Sequence, residues 1–522
     1  MKKILSLVLA LALVMSFMLT ANAEGEVYRF DKPVTLRVSI FDRGTAGGTA
    51  VDNNYYTKWI QENFGDPRNI TIEWCVIPRS EEVAKLNILM ASGEAPDICF
   101  TYTESVVANY VAQDGLYELS ELVDKYGANM KALLGEQVIN AGRFNGGLYA
   151  IPARRVVIAQ DGLFIREDWL EKLGMEMPTT KEELLTVLRA FRDNDMNGNG
   201  DPSDEIPWAV GSDLRLSCIV QLSFLKDVSH RTLACVPRPL IEGYKDHVLF
   251  MNQLYHEGLL SPDFALDKTD LLWNDITAGK AGMYNYNYDH PIRVSPGILS
   301  ALHAYEPEAK LSALNAFESV IDGTSHYHGM YGAHGLLNFI PVYSQQPEAA
   351  MMYLDWLCQY DTIYALQNGV EGITYDLDEN GIPVVKNPDE ANHDKFFNSM
   401  QNLDYTLLIN GQWLNETEKL IKAQAMSYQG YADLYEDIYV VQHTDPITTG
   451  FHFEDVLEVT AQYETTLGEF EKEMVTKVVM ADPAEASALF DTLLEEYKAM
   501  GATAMMEEKL ASWDKAEANK AQ

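Results

Sequence analysis

Basic residues are scarce in this chain, with 39 lysines and arginines against 77 aspartates and glutamates, a formal net charge of −38. A field of that sign repels phosphate backbones and anionic membrane surfaces, which argues against nucleic-acid binding and electrostatic membrane docking. Cysteine is sparse too. Cys75, Cys99, Cys218, Cys235 and Cys358 are scattered with no Cys-x-x-Cys pair. A disulfide framework would be denser and even in count, so at most two bridges could form, and mostly buried free thiols are expected. After the first twenty residues no apolar run is long enough to span a bilayer. Internal repeats and low-complexity linkers are also lacking, which favours lobes joined by several chain crossings.

Catalytic signatures are missing in the same way, each at a residue its chemistry requires. The stretch "RGTAGGTA" (43 to 50) follows a strand but has neither the Lys-Ser/Thr of a phosphate loop nor a G-x-G-x-x-G. "GTSHY" around Ser325 lacks the second glycine of a nucleophile elbow. His256-Glu257 starts like a zinc-protease helix, but Leu260 stands where the second histidine belongs. In "HYHGMYGAH", His326 and His328 would share one face of a strand as two zinc ligands do, with His334 nearby. Polar side chains lining a cleft are the simpler reading of that triplet.

What the chain does contain begins with Lys2 and Lys3, an apolar run from Ile4 to Thr20, and Ala21-Asn22-Ala23. This is the pattern of a secretory signal peptide cut after Ala23. It predicts a secreted protein, extracellular or periplasmic, at the outer face of the cytoplasmic membrane. Glu24 and not Cys follows the cut, so a lipid anchor has no attachment point. Apolar residues at 47% and aromatics at 11% supply ample core for two domains or one bilobed body.

The segments "VTLRVSIF" (34 to 41), "ITIEWCVI" (70 to 77) and "ICFTY" (98 to 102) read as strands separated by two helices. That alternation predicts an α/β layer with a parallel sheet. "PTTKEELLTVLRAFRDND" (178 to 195) reads as a helix, with Thr179 or Thr180 as cap and Leu184, Leu185, Val187, Leu188 and Phe191 on one face. Further helices are expected at 246 to 264, at 347 to 361 and from about 482 onward.

The most polar stretch, "DNDMNGNGDPSDEIP" (193 to 207), follows that capped helix. Asp195, Asn197 and Asn199 alternate, with Gly198 and Gly200 between them; Asp201, Asp204 and Glu205 can complete a cage of oxygens. Calcium takes six to eight oxygen ligands from such loops, whereas the absence of His and Cys disfavours zinc. A second register starts at Asp193 and puts Asp204 at position twelve. Either way the ion would be structural, because a cage filled by protein oxygens leaves little room for substrate. "YDLDENGIP" (375 to 383) begins similarly but has no closing carboxylate and reads as a hairpin turn.

A set of segments in fixed order carries a resemblance over nearly the whole chain. They are "ASGEAPDI" (91 to 98), "DGLYELSELVDKYGAN" (114 to 129), "NGGLYAIP" (145 to 152), "IREDWLEKLGMEMPTTKEEL" (165 to 184), "NGNGDPSDEIP" (197 to 207), "LYHEGLLSPDF" (254 to 264), "GKAGM" (279 to 283), "PEAAMMYLDWL" (347 to 357) and "GVEGITYDLDENGIP" (369 to 383). In these the chain resembles family 1 extracellular solute-binding proteins, the receptors of carbohydrate ABC importers. Within that family it is similar to the calcium-containing branch that includes alginate and other oligosaccharide binders. Asp204 comes one residue later than in the family's usual loop.

The resemblance implies an α/β, bilobed fold of the periplasmic-binding-protein type II kind, two α/β lobes joined by hinge segments. The expected lobes are 31–152 plus about 288–345, and 153–287 plus about 346–522, with hinges near Tyr149 to Ala153 and Met283 to Pro291. It further implies a monomer that captures a carbohydrate and hands it to a membrane permease. The alternative function is a secreted carbohydrate-active enzyme, which would convert a candidate sugar instead of only binding it. Candidate sugar contacts are Tyr284 and Tyr286 after "GKAGM", Trp413 in "INGQWLN", and Tyr102 and Asp42 near strand ends.

Overall fold

The computed structural model describes residues 27–44, 49–211, 218–266, 269–293, 297–386, 392, 395, 404–428 and 430–520. The expected signal peptide, residues 1–23, lies outside the described residues. No helix among those described is long and apolar enough to cross a membrane.

In chain order the strands of the first half are β1 (Val34–Asp42), β2 (Ile70–Pro78), β3 (Cys99–Thr101), β4 (Arg143–Phe144), β5 (Gly147–Leu148), β6 (Ile151–Arg155) and β7 (Asp161–Arg166). They are followed by β8 (Met283–Asn287), β9 (Leu311–Leu314), β10 (His328–Met330), β11 (His334–Phe339), β12 (Tyr375–Leu377), β13 (Pro383–Val385), β14 (Ile409–Asn410) and β15 (Pro446–Thr448). The turn expected at 375–383 is the antiparallel β12–β13 hairpin.

The first lobe is built on β1 and β2, which pair in parallel over nine residues. Leu36, Val38 and Ile40 of β1 are buried on one face, and Phe41 and Ser39 are buried as well. The helix Tyr55–Ile60 returns the chain between them. Asn54 caps it by accepting from Tyr56 and Thr57 amides, and Gln61 beyond it bonds the Ile70 carbonyl at 2.8 Å and the Ile72 amide at 2.9 Å. A parallel bridge between Val38 and Ile98 joins this pair to a sheet of order β14-β6-β11-β3. The sheet is mixed, since β11 runs antiparallel to both of its neighbours.

The second lobe holds the antiparallel sheet β8-β7-β9. The helix Lys181–Asp193 lays Leu184, Val187, Leu188 and Phe191 into its core, and Thr180 and Glu183 form the expected capping box. Gly282 in "GKAGM" has no room for a side chain, because a Cβ there would fall 2.5 Å from the Phe191 ring. The helices Glu458–Met480 and Pro483–Tyr497 close the far side. Asn252 ties the carbonyls of Val478, Val479 and Ala481 together at 2.8 to 3.0 Å, which satisfies the end of the first of them. Cys75, Cys99, Cys235 and Cys358 are free thiols, the last three buried.

The lobe boundaries differ from those expected. Residues 288–317 belong to the second lobe: β9 pairs with β7, and Ile292, Ile298, Leu302 and Leu311 are buried in its cores. The helix Pro347–Trp356 belongs to the first, where Tyr353 and Trp356 pack on Phe64 at 5.0 and 5.3 Å. Helices buried on nearly every side give no periodic sign of which core they join. The hinges move accordingly. The chain leaves the first lobe just after β6, returns between β10 and β11, and leaves again after β14; β8, expected as a hinge, lies inside the second sheet.

A last segment, after β15, straps the lobes together. His452 bonds Glu104 at 2.6 Å and the Arg143 carbonyl at 2.8 Å, and Asn145 and Glu454 share a backbone bond of 2.8 Å. Burial pushes the Glu104 carboxyl up, but the hydrogen bond from His452 and the His334 imidazole 3.8 Å away outweigh it and hold the group at about 2. Burial likewise lowers His452, yet Glu104 raises it above its ordinary value.

Two outcomes follow from this packing. Leu354→Ala, at a fully buried site of the first core, should cost about 2–5 kcal/mol. Amide exchange should then accelerate in β1 and β2 more than in β7 and β9; the reverse order would put the helix with the other lobe. The strap should be pH-dependent. Glu104, depressed from 4.5, stabilises above that value and ceases to as pH falls towards 2. His452, raised from 6.5, stabilises below that value and ceases to as pH rises through its folded value. The melting-temperature gap between wild type and Glu104→Gln should thus be widest between 4.5 and 6.5. A gap that stays constant with pH would show that the pair carries no such linkage.

Candidate functional site

The strand directions gather polar side chains at one edge of the first lobe. β1, β2 and β3 are parallel, β6 runs with β3 because each is antiparallel to β11, and β14 is parallel to β6. All five therefore end on the same side, the side on which open α/β sheets bind ligands. The residues at or just beyond those ends are Arg43, Arg79, Tyr102, Arg155 and Trp413.

Tyr102, half-buried, stacks on the buried Phe41 with ring centres 6.4 Å apart. The guanidinium carbon of Arg79 lies 5.0 Å from the centre of the Tyr102 ring, and Arg79 is paired with Glu82. Arg43 grips Asp404 with two bonds of 2.7 and 2.9 Å. Burial lowers the Arg43 guanidinium, but Asp404 more than reverses this and leaves its pKa raised. Burial also raises the Tyr102 phenol, while the neighbouring Arg43, Arg79 and Arg155 pull it back.

Arg155 stands at the hinge with its guanidinium 4.0 Å from the centre of the Tyr331 ring. It is within electrostatic reach of Tyr102 from the first lobe and of Tyr288 from the second. Tyr288 follows β8; its hydroxyl is 3.4 Å from that of Tyr428, which donates to Asp289 at 2.8 Å. Asp289 in turn holds Arg293. The junction thus brings together flat aromatic faces and planar charged groups from both lobes. That combination suits a pyranose, whose C–H face packs on rings and whose hydroxyls meet planar polar groups.

The residues expected from sequence are placed unevenly. Tyr102 is at the junction. Tyr284 is not: it is 1% exposed, packed on Phe164 at 5.3 Å in the second core. Strand alternation puts Tyr284 and Tyr286 on one face of β8, and Tyr288, just beyond its end, is the one within electrostatic reach of Arg155. Tyr286 is half-buried between Trp273 and His290, at 4.8 and 4.5 Å. Trp413 sits at the third crossing, 5.7 Å from the Arg154 guanidinium, its indole donating to Asn415. Asp42 accepts from the Gly44 amide and serves the turn after β1. Arg43, Arg79, Arg155, Tyr288, Tyr331 and Asp404 were not foreseen. The histidine triplet is dispersed, with His326 and His328 bonded to Ala316 and Asn315 and His334 facing Glu104.

In the polar loop, Asp195 accepts from Gly198 and Gly200, Asn197 from Asn199, and Asn199 from Asp201. Asp204 faces Asn197, Asn199 and, at 3.4 Å, the Lys280 ammonium. Asp193 is outside this circle, paired with Arg192. No three carboxylate, imidazole or thiolate groups among the described residues are drawn together at metal spacing, because these oxygens turn to backbone amides instead. The donor set still fits a hard cation. It is all oxygen, and Glu205, buried and bonded through one oxygen to the amides of Met196 and Asn197, leaves the other buried without a partner.

Comparison with known proteins agrees with this architecture. The alginate-binding protein AlgQ2, solved without calcium ion, superposes with a TM-score of 0.69 at 20% identity over 93% of this chain and 99% of that one. FusA of Streptococcus pneumoniae, an EF-hand mutant in complex with fructo-nystose, gives 0.66 at 17% identity over 93% and 100%. In sequence, lipoprotein LipO of Bacillus subtilis (strain 168) is 29% identical over 331 residues, 59% of this chain and 62% of that one. The polygalacturonan/rhamnogalacturonan-binding protein YtcQ of the same organism is 24% identical over 322 residues, 59% and 61%. The chain thus spans about three fifths of the length of these two curated relatives. Residues 48–361, more than half of the chain, match the bacterial extracellular solute-binding proteins, and the chain belongs to that family.

Proposed function

We propose that this protein is the extracellular receptor of a carbohydrate ABC importer, closing its two lobes over an oligosaccharide at the junction of Tyr102, Arg155, Tyr331 and Tyr288. The observation that carries this reading is the convergence on Arg155 of tyrosines from both lobes. Relatives described as binding fructooligosaccharide and polygalacturonan support the ligand class. On this reading the protein binds without converting its ligand, acts as a monomer outside the cytoplasmic membrane, and delivers the sugar to a membrane permease. The 195–205 loop holds a structural Ca2+ through Asp195, Asn197, Asn199, Asp201, Asp204 and Glu205. Relatives solved without calcium ion or as an EF-hand mutant support that assignment.

Binding should favour a closed arrangement, because only then do both lobes touch the sugar. A panel of oligosaccharides screened by thermal shift supplies the binder, and X-ray scattering should then show a smaller radius of gyration in its presence. Tyr288→Ala should weaken that binder about tenfold or more, whereas Tyr284→Ala should mainly lower the melting temperature. Turnover of the sugar, or an unchanged radius beside tight binding, would contradict the clamp.

For calcium, a ligand at a hundredfold excess over its Kd stabilises the native state by about 2.7 kcal/mol. Chelation should lower the melting temperature, added Ca2+ should restore it, and Asp195→Ala should abolish the response. A melting curve indifferent to EDTA would leave the loop a polar turn.

A further inference from the structure

The arginines around the junction are not equivalent. Arg43 is neutralised by Asp404, Arg79 by Glu82 and Arg293 by Asp289. Arg155 has no such partner among the described residues. Its Nε donates to the His334 carbonyl at 3.3 Å, and its guanidinium lies on the Tyr331 ring. Among the described residues no carboxylate comes within ion-pair distance of it, and neither Nη nitrogen has an acceptor.

This is unusual in a chain with 77 acidic residues. A half-buried guanidinium without a counter-ion has lost hydration and gained only one carbonyl bond and a ring face. Burial accordingly lowers its pKa from the ordinary guanidinium value, although the group stays charged. A neutral sugar would seal this charge under the closing lobes unpaired, which is the costly arrangement. An anionic ligand would meet a net-negative protein at one locally positive point, flanked by Tyr102 and Tyr288.

We infer that the oligosaccharide taken at this junction is acidic, and that its anionic group, a uronate carboxylate or a sulfate ester, docks on the Nη edge of Arg155. The two parallel N–H donors of a guanidinium match two oxygens of such a group, a pairing stronger than neutral hydrogen bonds. The proposal rests on the reading of the junction as the sugar site.

Isothermal titration of the whole protein with four probes separates the two. The probes are trigalacturonate, the same trisaccharide methyl-esterified at every carboxyl, a sulfated trisaccharide, and its unsulfated parent. The expected result is binding of an acidic probe at least tenfold tighter than its neutral counterpart, weakening as salt rises. The probe preferred, carboxylate or sulfate, identifies the anion. Arg155→Gln should remove that preference, a loss of about 10- to 100-fold for the acidic probe. Should this variant fail to fold, the comparison of acid with neutral probe on the wild type decides alone. A neutral probe bound as tightly as its acidic counterpart, or a preference that survives Arg155→Gln, overturns the acidic ligand and leaves the sugar site standing. If no oligosaccharide of the wider panel binds, both readings fall.

Discussion

The molecule depends on a short ladder of backbone hydrogen bonds where the chain crosses between its two cores. Arg155 donates to Ala333 at 2.9 Å, Tyr331 to Ile158 at 2.7 Å, Gln160 to Gly329 at 3.2 Å, Thr449 to Met330 at 2.9 Å and Val156 to Asn410 at 2.9 Å. Main-chain bonds of this kind fix register without demanding particular side chains, and two positions along the ladder, Gly329 and Ala333, are small. Each core is packed within itself, so relative rotation of the lobes needs only small dihedral changes here. The same ladder sets Arg155 against Tyr331. Hinge and candidate binding site therefore share residues.

Charge placement works in the same direction. In a protein of net charge −38, most surface carboxylates are solvated and screened within about 10 Å. The strand ends of the first lobe are instead arginine-rich, and their neighbours are aromatic. Paired arginines such as Arg43 hold planar donors in fixed orientation at little electrostatic consequence beyond the pair. Arg155, which has no carboxylate partner among the described residues, lies at the same edge. On the proposed reading, the preorganised pairs would orient a sugar's hydroxyls, while Arg155 would select between ligands.

Much of the fold was legible because its signals are local. The alternation of β1 and β2, the cap at Thr180 and the turn in "DLDENGIP" each depend on neighbours within a few residues, and each forms as expected. The lobe assignment of 288–317 and 347–356 was not legible, since which core an apolar segment joins is decided by long-range packing. The site shows the same division. Choosing strand ends led to Tyr102, and the same rule applied to β2 and β6 gives Arg79 and Arg155. On β8 the expected Tyr284 lies inside the second core. Alternation shows which residues share a face, and only the packing of Phe164 against Tyr284 shows where the core stops.

The polar loop connects to this site through the chain and not by contact. Glu205 precedes Ile206, which bridges to Ala281, and Ala209 bridges to Tyr284. Those bridges lie beside and at the start of β8, the strand that leads to Tyr288, whose own amide bonds the Gln160 carbonyl at the hinge. Lys172 holds the loop's other side through the carbonyls of Asp195 and Met196 at 2.7 and 3.0 Å. Order in the loop thus steadies one edge of the second sheet over the distance from the surface to the junction. An ion there would act on ligand affinity only as far as β8 can shift without it. The three-stranded pairing of β8, β7 and β9 already restrains that shift. Stability should therefore respond to the loop more strongly than recognition does, which is the behaviour of a staple.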